Sequence, residues 1–575
     1  MIKQRRNPVE HAAMPGLKDD LQEGRITRRD FLRYATLLGV STTAAYKLAN
    51  TVNSGEPLLM PTAQAGNMPK GGTLRISMRV QEIHSPHTFS WLSESNIFRG
   101  SNEYLTYTDY QNVTHPALVE SWDVSDDIRS WTLNLRKWKW HSGRDFTADD
   151  VIWNIKRCLD PATGSSVLGL MKGYMMDDAG ENLWDANAIE KVDDHTVRMN
   201  LKTANVAIPE HLFHYPMAII DPDEGGKFGV GSNGTSVFDL VEFKLGEKAV
   251  LKARKGAQHW NGGPYLDSIE WIDLGDDPSA QLAAFASGQV HGAYSAPVGQ
   301  QDAYATLAGY NLMSASTAGT GVLRGQCDVA PFNDPRVQKA MRLAVDTKQA
   351  LAVAHRGVGS AGEHHHVCPI HPDYHELPFM ARDVAASKAL LAEAGYPDGV
   401  EIGGIACKKD PPWELAAVEV MVEQMKEAGI KAEIDLLPSS EFWGIWDKAP
   451  LGFTSWAHRP LGFMVLGLAY RSGVPWNESH FSDAEFDSTL TQAEGIADAR
   501  ERSKLIGKLE TIMQERGPIV QPIWLGRFSP WDKKVVGCLL YTSDAADEAL
   551  GVDLGGRRIN KKIKVGWGGG GGGGG

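Results

Sequence analysis

Polar and apolar positions change period twice along this chain, and the changes divide it. In GGTLRISMRV, residues Leu74, Ile76, Met78 and Val80 alternate with polar neighbours, the period of a strand with one buried face. ALVESWDVSDDIRSWTLNLRKWKWHSG keeps that period on both sides of the polar turn Ser125-Asp126-Asp127, which predicts a hairpin. TADDVIWNIKRCL then shifts to a helical period. Thr147 is placed to cap that helix, and Asp149 and Asp150 fall in its first turn, where the helix dipole favours acids. HTVRMNL returns to strand.

From about Asp334 helices and strands alternate. Asp334 precedes Pro335 at the first position of a helix that carries Val337, Met341, Ala344 and Val345 on one face. DVAASKALLAEAGYPDG starts on Asp383 and stops at Gly395. WELAAVEVMVEQMKEAGI turns Val418, Met421, Val422 and Met425 inward, stops at Gly429 and runs into the alternating KAEIDLL. A helix feeding directly into a strand predicts a separate α/β lobe.

The two ends depart from this texture. In TRRDFLRYATLLGVSTTAAY, Arg28 and Arg29 precede an apolar stretch from Tyr34 to about Tyr46. That stretch is shorter than the roughly 20 helical residues a bilayer requires, which predicts an export signal and not an anchor. Thr27-Arg28-Arg29-Asp30-Phe31-Leu32-Arg33 resembles the twin-arginine translocation pattern, with Thr and Arg where Ser and Lys are commoner. Ala63-Gln64-Ala65 supplies a small-x-small cleavage motif, so residues 1–65 are expected to be a signal peptide and the mature chain to begin near Gly66. At the other end the sequence closes on eight glycines, which lose the most backbone entropy on ordering and bury nothing. The run from Cys538 to Glu548 resembles a translated sequencing adapter. Residues 538–575 are therefore expected to be a disordered artefact outside the fold.

Composition narrows the function. The chain carries 71 acidic against 58 basic residues, net −13, and the excess deepens once the basic leader is set aside. Nucleic acid and anionic membrane surfaces demand a basic face and are excluded as partners. The length exceeds what a single core supports, so at least two domains are expected. Cys158, Cys327, Cys368 and Cys407 are far apart with no C-x-x-C, and cargo folded before export keeps its thiols reduced; four packed free thiols are predicted. With no H-E-x-x-H, G-x-S-x-G or phosphate-loop motif, neither an enzyme nor a cofactor is predicted.

GEHHHVCPIH, residues 362–371, is the one stretch with metal-ligand chemistry, in His366, Cys368 and His371. Neighbouring side chains on extended backbone face opposite ways, so His365 is not expected to join His364 and His366 at one ion. The favoured expectation is a polar loop over a ligand cleft with His366 facing the ligand, ahead of a metal site.

Six stretches together resemble the extracytoplasmic solute-binding proteins of peptide-type ABC transporters, family 5. They are GGTLRI at 71–76, PALVESWDVSDD at 116–127, WTLNLRKWKWHSGRDFTADDVIWNIKR at 131–157, HWNGGPYLDSIEW at 259–271, PFNDPRVQKAMRLAVD at 331–346 and ASKALLAEAGYPDG at 386–399. The resemblance implies an α/β, two-lobed periplasmic-binding-protein fold of class II type with a hinge. Lobe I would span 66–322 with an extra subdomain at about 110–230, lobe II 323–517, and 518–537 would return to lobe I. AGTGVLRG at 318–325 offers small residues for the hinge. The implied function is capture of a peptide or peptide-like solute by hinge closure and delivery to the transmembrane subunits of an ABC permease, by a monomer that meets the Tat translocase during export. A carrier of a metal chelate or haem on the same fold and an exported hydrolase are the rival readings.

The resemblance also points to the site. In FTSWAHRPLG the family places an Asp three residues after a Trp, to bind a peptide's free amino group. Here Trp456 keeps the aromatic and Arg459 stands where the Asp is expected. A guanidinium repels an ammonium and suits a carboxylate or carbonyl. Expected ligand contacts are Trp456, His458, Arg459, Trp476, Asn477 and His366, with Trp443, Trp446 and Tyr470 as further aromatic candidates.

Overall fold

A computed structural model describes residues 11–52, 70–90, 92–109 and 112–535. The expected cleavage motif at Ala63–Ala65 and the tail 538–575 lie outside the described residues.

Local signals place the elements. Asp150 accepts the Thr147 N–H at 2.8 Å at the start of the helix Ala148–Leu159. Asp334 accepts the Arg336 N–H at 2.9 Å to open Pro335–Leu343, and Asp383 accepts that of Ala386 at 2.8 Å to open Val384–Glu393. Each carboxylate satisfies an amide the helix leaves without a partner. Gly395 and Gly429 follow their helices at φ 97° and 83°, a left-handed conformation that favours glycine.

Among the described residues, eleven strands form one mixed sheet. From one edge its order is Ile430–Leu437, Val400–Lys408, Leu451–Trp456, Tyr310–Gly325, Ile519–Asp532, Gly292–Ala293, Thr73–Ser77, Ser268–Ile272, Lys248–Ala253 and Phe238–Lys244; Gly359–Ala361 pairs with Ile519–Asp532 off this path. Val400–Lys408 and Ile430–Leu437 are parallel, joined by the helix Pro412–Glu427, which packs on them through Val418, Met421 and Met425. A separate four-stranded antiparallel sheet, built from Val119–Val124, Ser130–Leu135, Thr196–Asn200 and Ile189–Asp193, contains the expected hairpin. The described cysteines are free.

The molecule is two-lobed, and two long antiparallel strands, Tyr310–Gly325 and Ile519–Asp532, carry the sheet from one lobe to the other. Their register breaks between Ser316 and Thr320. Two hydroxyls stand in for the interrupted ladder: Thr317 Oγ1 donates to Leu525 O at 2.7 Å and Thr320 Oγ1 to Ile523 O at 2.5 Å.

Residues 11–52 form the helices Met14–Gln22, Arg28–Leu37 and Thr42–Val52. Their apolar faces join the same core cluster as Trp122, Trp131 and Leu509. Among the described residues no helix is long and apolar enough to cross a membrane.

Close packing at the crossing makes one substitution diagnostic. A Cβ on Gly321 would lie 2.4 Å from Phe453 Cζ and 2.9 Å from Trp413 Cη2. Gly321→Ala is expected to lower stability by about 1–3 kcal/mol, read as a lower urea midpoint with an unchanged m-value.

Candidate functional site

Where the crossing strands enter the sheet, the lobes enclose a cavity of about 880 Å³. Its walls come from the carboxyl ends of strands and the loops after them, where α/β sheets place ligands. Leu451–Trp456 ends on Trp456 and leads to Arg459; Val400–Lys408 ends on Lys408 and leads through Asp410 to Glu414; all five residues line the cavity.

Aromatic rings dominate one wall. Trp456 lies edge-on to Trp476 at 5.9 Å and to Trp446 at 6.3 Å, and Trp446 is 6.1 Å from Trp476. Tyr215, from the loop region after the four-stranded sheet, tilts against Trp476 at 5.8 Å. Edge-to-face contacts of this kind are favourable in themselves and leave the outer ring faces to a ligand.

A buried ion pair fixes this wall from behind. Arg324, on the first crossing strand, donates from Nε to Glu478 Oε2 at 2.8 Å, and both side chains are fully buried. The other oxygen of Glu478 accepts Trp456 Nε1–H at 2.8 Å, and Oε2 also accepts from Thr454 Oγ1. The Arg324 guanidinium also donates to the carbonyls of Trp446 and Ala449. The pair thus orients the Trp456 ring and fixes the backbone at Trp446.

Charge is distributed unevenly between the walls. Lys408 is bonded to Glu414 and, at 3.0 Å, to Ser455 Oγ, so that cation is neutralised within the wall. Burial raises the Glu414 carboxyl, against the pull of Lys408. Burial also raises Asp410, with Arg79 pulling the other way. Arg459 differs: it is 4% exposed, and among the described residues no carboxylate lies within ion-pair distance of it. Its Nη1 donates to His458 O at 2.7 Å, its Nη2 approaches Tyr215 Oη at 3.4 Å, and its Nε has no partner among the described residues. The guanidinium sits 5.2 Å from the centre of the Tyr215 ring.

Of the sequence-predicted contacts, Trp456, Arg459 and Trp476 line the cavity together. His458, His366 and Asn477 do not reach its surface. His458 Nδ1 accepts the Ala318 N–H at 2.9 Å from the crossing strand. His366 Nδ1 meets Tyr470 Oη at 2.6 Å, and its ring packs edge-on behind Trp456 at 5.7 Å. Asn477 bonds Arg471 O, Phe481 O, Phe481 N and Ser479 Oγ, closing its own turn. Of the further aromatic candidates, Trp443 and Trp446 line the cavity, whereas Tyr470 does not.

The histidine loop departs from the extended backbone expected of it. His364 and His366 have φ of 64° and 62°, left-handed turns that fold all three adjacent rings into the interior, where each is at most 1% exposed. The loop is a buttress and not a cleft lining. His371 accepts the Cys368 N–H at Nδ1 and donates from Nε2 to Arg459 O at 2.9 Å, fixing the backbone of that arginine. With His366, Cys368 and His371 engaged separately, no group of three or more His, Cys, Asp or Glu among the described residues is arranged to hold a metal ion.

Tyr215, Lys408, Asp410 and Glu414 were not anticipated as site residues. The last three share the segment KKDPPWE, a charged cluster at the junction of a strand and a helix in an α/β unit, and that position is the available signal.

Comparison with known proteins agrees with this geometry. The family model for bacterial extracellular solute-binding proteins, family 5 (middle), matches residues 113–471. Heme-binding protein A of Haemophilus influenzae is 26% identical over 452 residues, covering 73% of this chain and 81% of that protein. The glutathione-binding protein GsiB of Escherichia coli (strain K12) is 24% identical over 449 residues, 73% of this chain and 82% of that one. The periplasmic binding protein DppA of Helicobacter pylori, solved in complex with the peptide STSA, superposes with a TM-score of 0.72 at 19% identity, over 83% of this chain and 97% of that one.

Acid should destabilise this architecture through its imidazoles. Burial pushes His364 and His365 down to about 3 and His371 to about 4, below the usual histidine value. These groups bind protons more readily when unfolded, so stability is complete above about pH 6.5 and falls as the pH drops toward 4. The thermal midpoint is expected to fall progressively between pH 6.5 and 4.5, and His365→Gln to flatten that slope.

Proposed function

The chain belongs to the bacterial extracellular solute-binding proteins, family 5, and we propose that its cavity captures a peptide or peptide-like solute carrying a carboxylate or similar acceptor, which it passes to an ABC permease. The reading rests on the tryptophan-walled cavity at the junction of the lobes, with Arg459 buried in its surface and lacking an acidic partner among the described residues. Tryptophan faces suit the apolar and amide surfaces of a peptide, and a buried cation without a counter-charge is stabilised by a ligand anion. GsiB by name binds glutathione and DppA was solved with a peptide, which supports the same ligand class here.

In this reading lobe I comprises 66–322 and the return segment 518–537, lobe II comprises 323–517, and closure is movement about the register break in the crossing strands. Trp456, Trp476 and Arg459 contact the ligand, while His366 and His458 hold the wall. The twin-arginine segment supports export through the Tat translocase to the extracytoplasmic side, where the receptor acts as a monomer. A receptor of this kind requires only stronger binding to the closed state and no catalytic group.

Native mass spectrometry of the chain purified without added ligand or chelator tests the proposal. A retained species on the order of a few hundred daltons, the size such pockets enclose, that fragments into amino acids is the expected result. Retained haem or metal would overturn it. With that ligand in hand, Arg459→Gln should weaken binding by about 2–5 kcal/mol, at least roughly 30-fold. Titration calorimetry giving equal affinities would remove Arg459 from the site.

A further inference from the structure

The segment carrying the twin arginines is packed, and its packing surface is assembled from distant parts of the body. Every residue from Phe31 to Leu38 is buried. Beneath them Met14, Leu17 and Leu21 of the preceding helix are buried in the same cluster.

Polar contacts hold the segment in register at both ends and the middle. His11 Nε2 lies 3.3 Å from Ser125 O, and the Ala12 N–H donates to Asp126 Oδ1 at 3.1 Å. Trp122 Nε1 donates to Leu37 O at 3.1 Å, and Thr42 Oγ1 lies 3.1 Å from His115 Nδ1. Asp20 pairs with Arg500 at 2.9 Å. The Arg502 guanidinium, bonded to Asp373 at 3.0 Å, lies 4.8 Å from the centre of the Tyr34 ring.

Those partners fall at 115–126, 373 and 500–502, on a two-stranded sheet of Thr106–Thr108 and Thr114–Pro116, the hairpin, the histidine-loop region and the helix Ala499–Arg516. They are adjacent only in the folded body, so an unfolded chain has no such groove. The docked segment holds its charged and apolar parts differently. Arg29 is exposed and Arg28 half-buried, whereas the apolar run is withheld from water. An exposed run of this kind on a soluble precursor is an aggregation hazard.

We propose that the folded body is a receptor for its own leader: residues 11–52 dock as a strap in a groove that exists only after folding, sheltering the apolar run while presenting Arg29 as the handle. A translocase that takes the leader has to win it from this groove. The docking stands independently of what the ligand cavity binds; only its role in transport rests on the export reading, which fails separately if the chain is not exported.

Hydrogen exchange of the full chain, followed by mass spectrometry, tests it. Amides of 28–38 are expected to exchange as slowly as those of the helix Ala499–Arg516, on the order of a hundredfold or more slower than unstructured chain. Arg500→Glu, at a half-exposed side chain, and Trp122→Phe, which keeps an aromatic ring and loses the N–H, should each speed exchange in 28–38 by roughly tenfold without altering the crossing strands. Exchange of 28–38 at the unstructured rate in the unaltered chain would overturn the proposal. Unchanged protection in both variants would overturn the assignment of the groove.

Discussion

The aromatic wall of the cavity depends on one ion pair that does not itself line it. Arg324 and Glu478 lie out of water behind the aromatic wall, and their remaining donors and acceptors are spent on Trp446, Ala449, Thr454 and Trp456. Two charges removed from water are costly, and removing one partner strands the other at about 3–5 kcal/mol. The pair is tolerated because its hydrogen bonds are filled. Since Arg324 belongs to a crossing strand, the orientation of Trp456 and the backbone at Trp446 are tied directly to that strand.

Charge selection then follows from what the walls neutralise for themselves. Lys408 is matched by Glu414 and Arg324 by Glu478, and both pairs are silent toward a ligand. Among the described residues Arg459 has only carbonyls and a phenol within reach, so its charge stays unmatched; Arg527 also lines the cavity. The imidazoles nearby add none at neutral pH, because burial holds His366 and His458 well below the ordinary histidine value, with Arg459 pushing them the same way.

How much of this was legible in the sequence depended on the range of the signal. Asp334 before Pro335, and Asp383 twelve residues before Gly395, are local devices, and the helices start and stop by them. Trp456 and Arg459 were legible as a pair because one short stretch, FTSWAHRPLG, resembles the family's pattern. Tyr215 was not, since it reaches the same cavity from 244 residues away and nothing in its neighbours announces that contact. The histidine loop misled because three consecutive imidazoles suggest a polar surface, whereas two left-handed residues turn them inward to brace Arg459. Residues 11–52 likewise looked separable from the fold, because their partners are spread from His115 to Arg502.

The interrupted ladder between the crossing strands has an evolutionary consequence. Ser316 to Thr320 lie behind the wall and off the cavity surface, so if the lobes close about this break, substitutions there alter how readily they meet without altering the surface a solute encounters. Substitutions at Trp456 and Arg459 do the reverse. Strength of retention and choice of cargo are thereby written in different residues, and a lineage built on this scaffold can change its diet and its appetite one at a time.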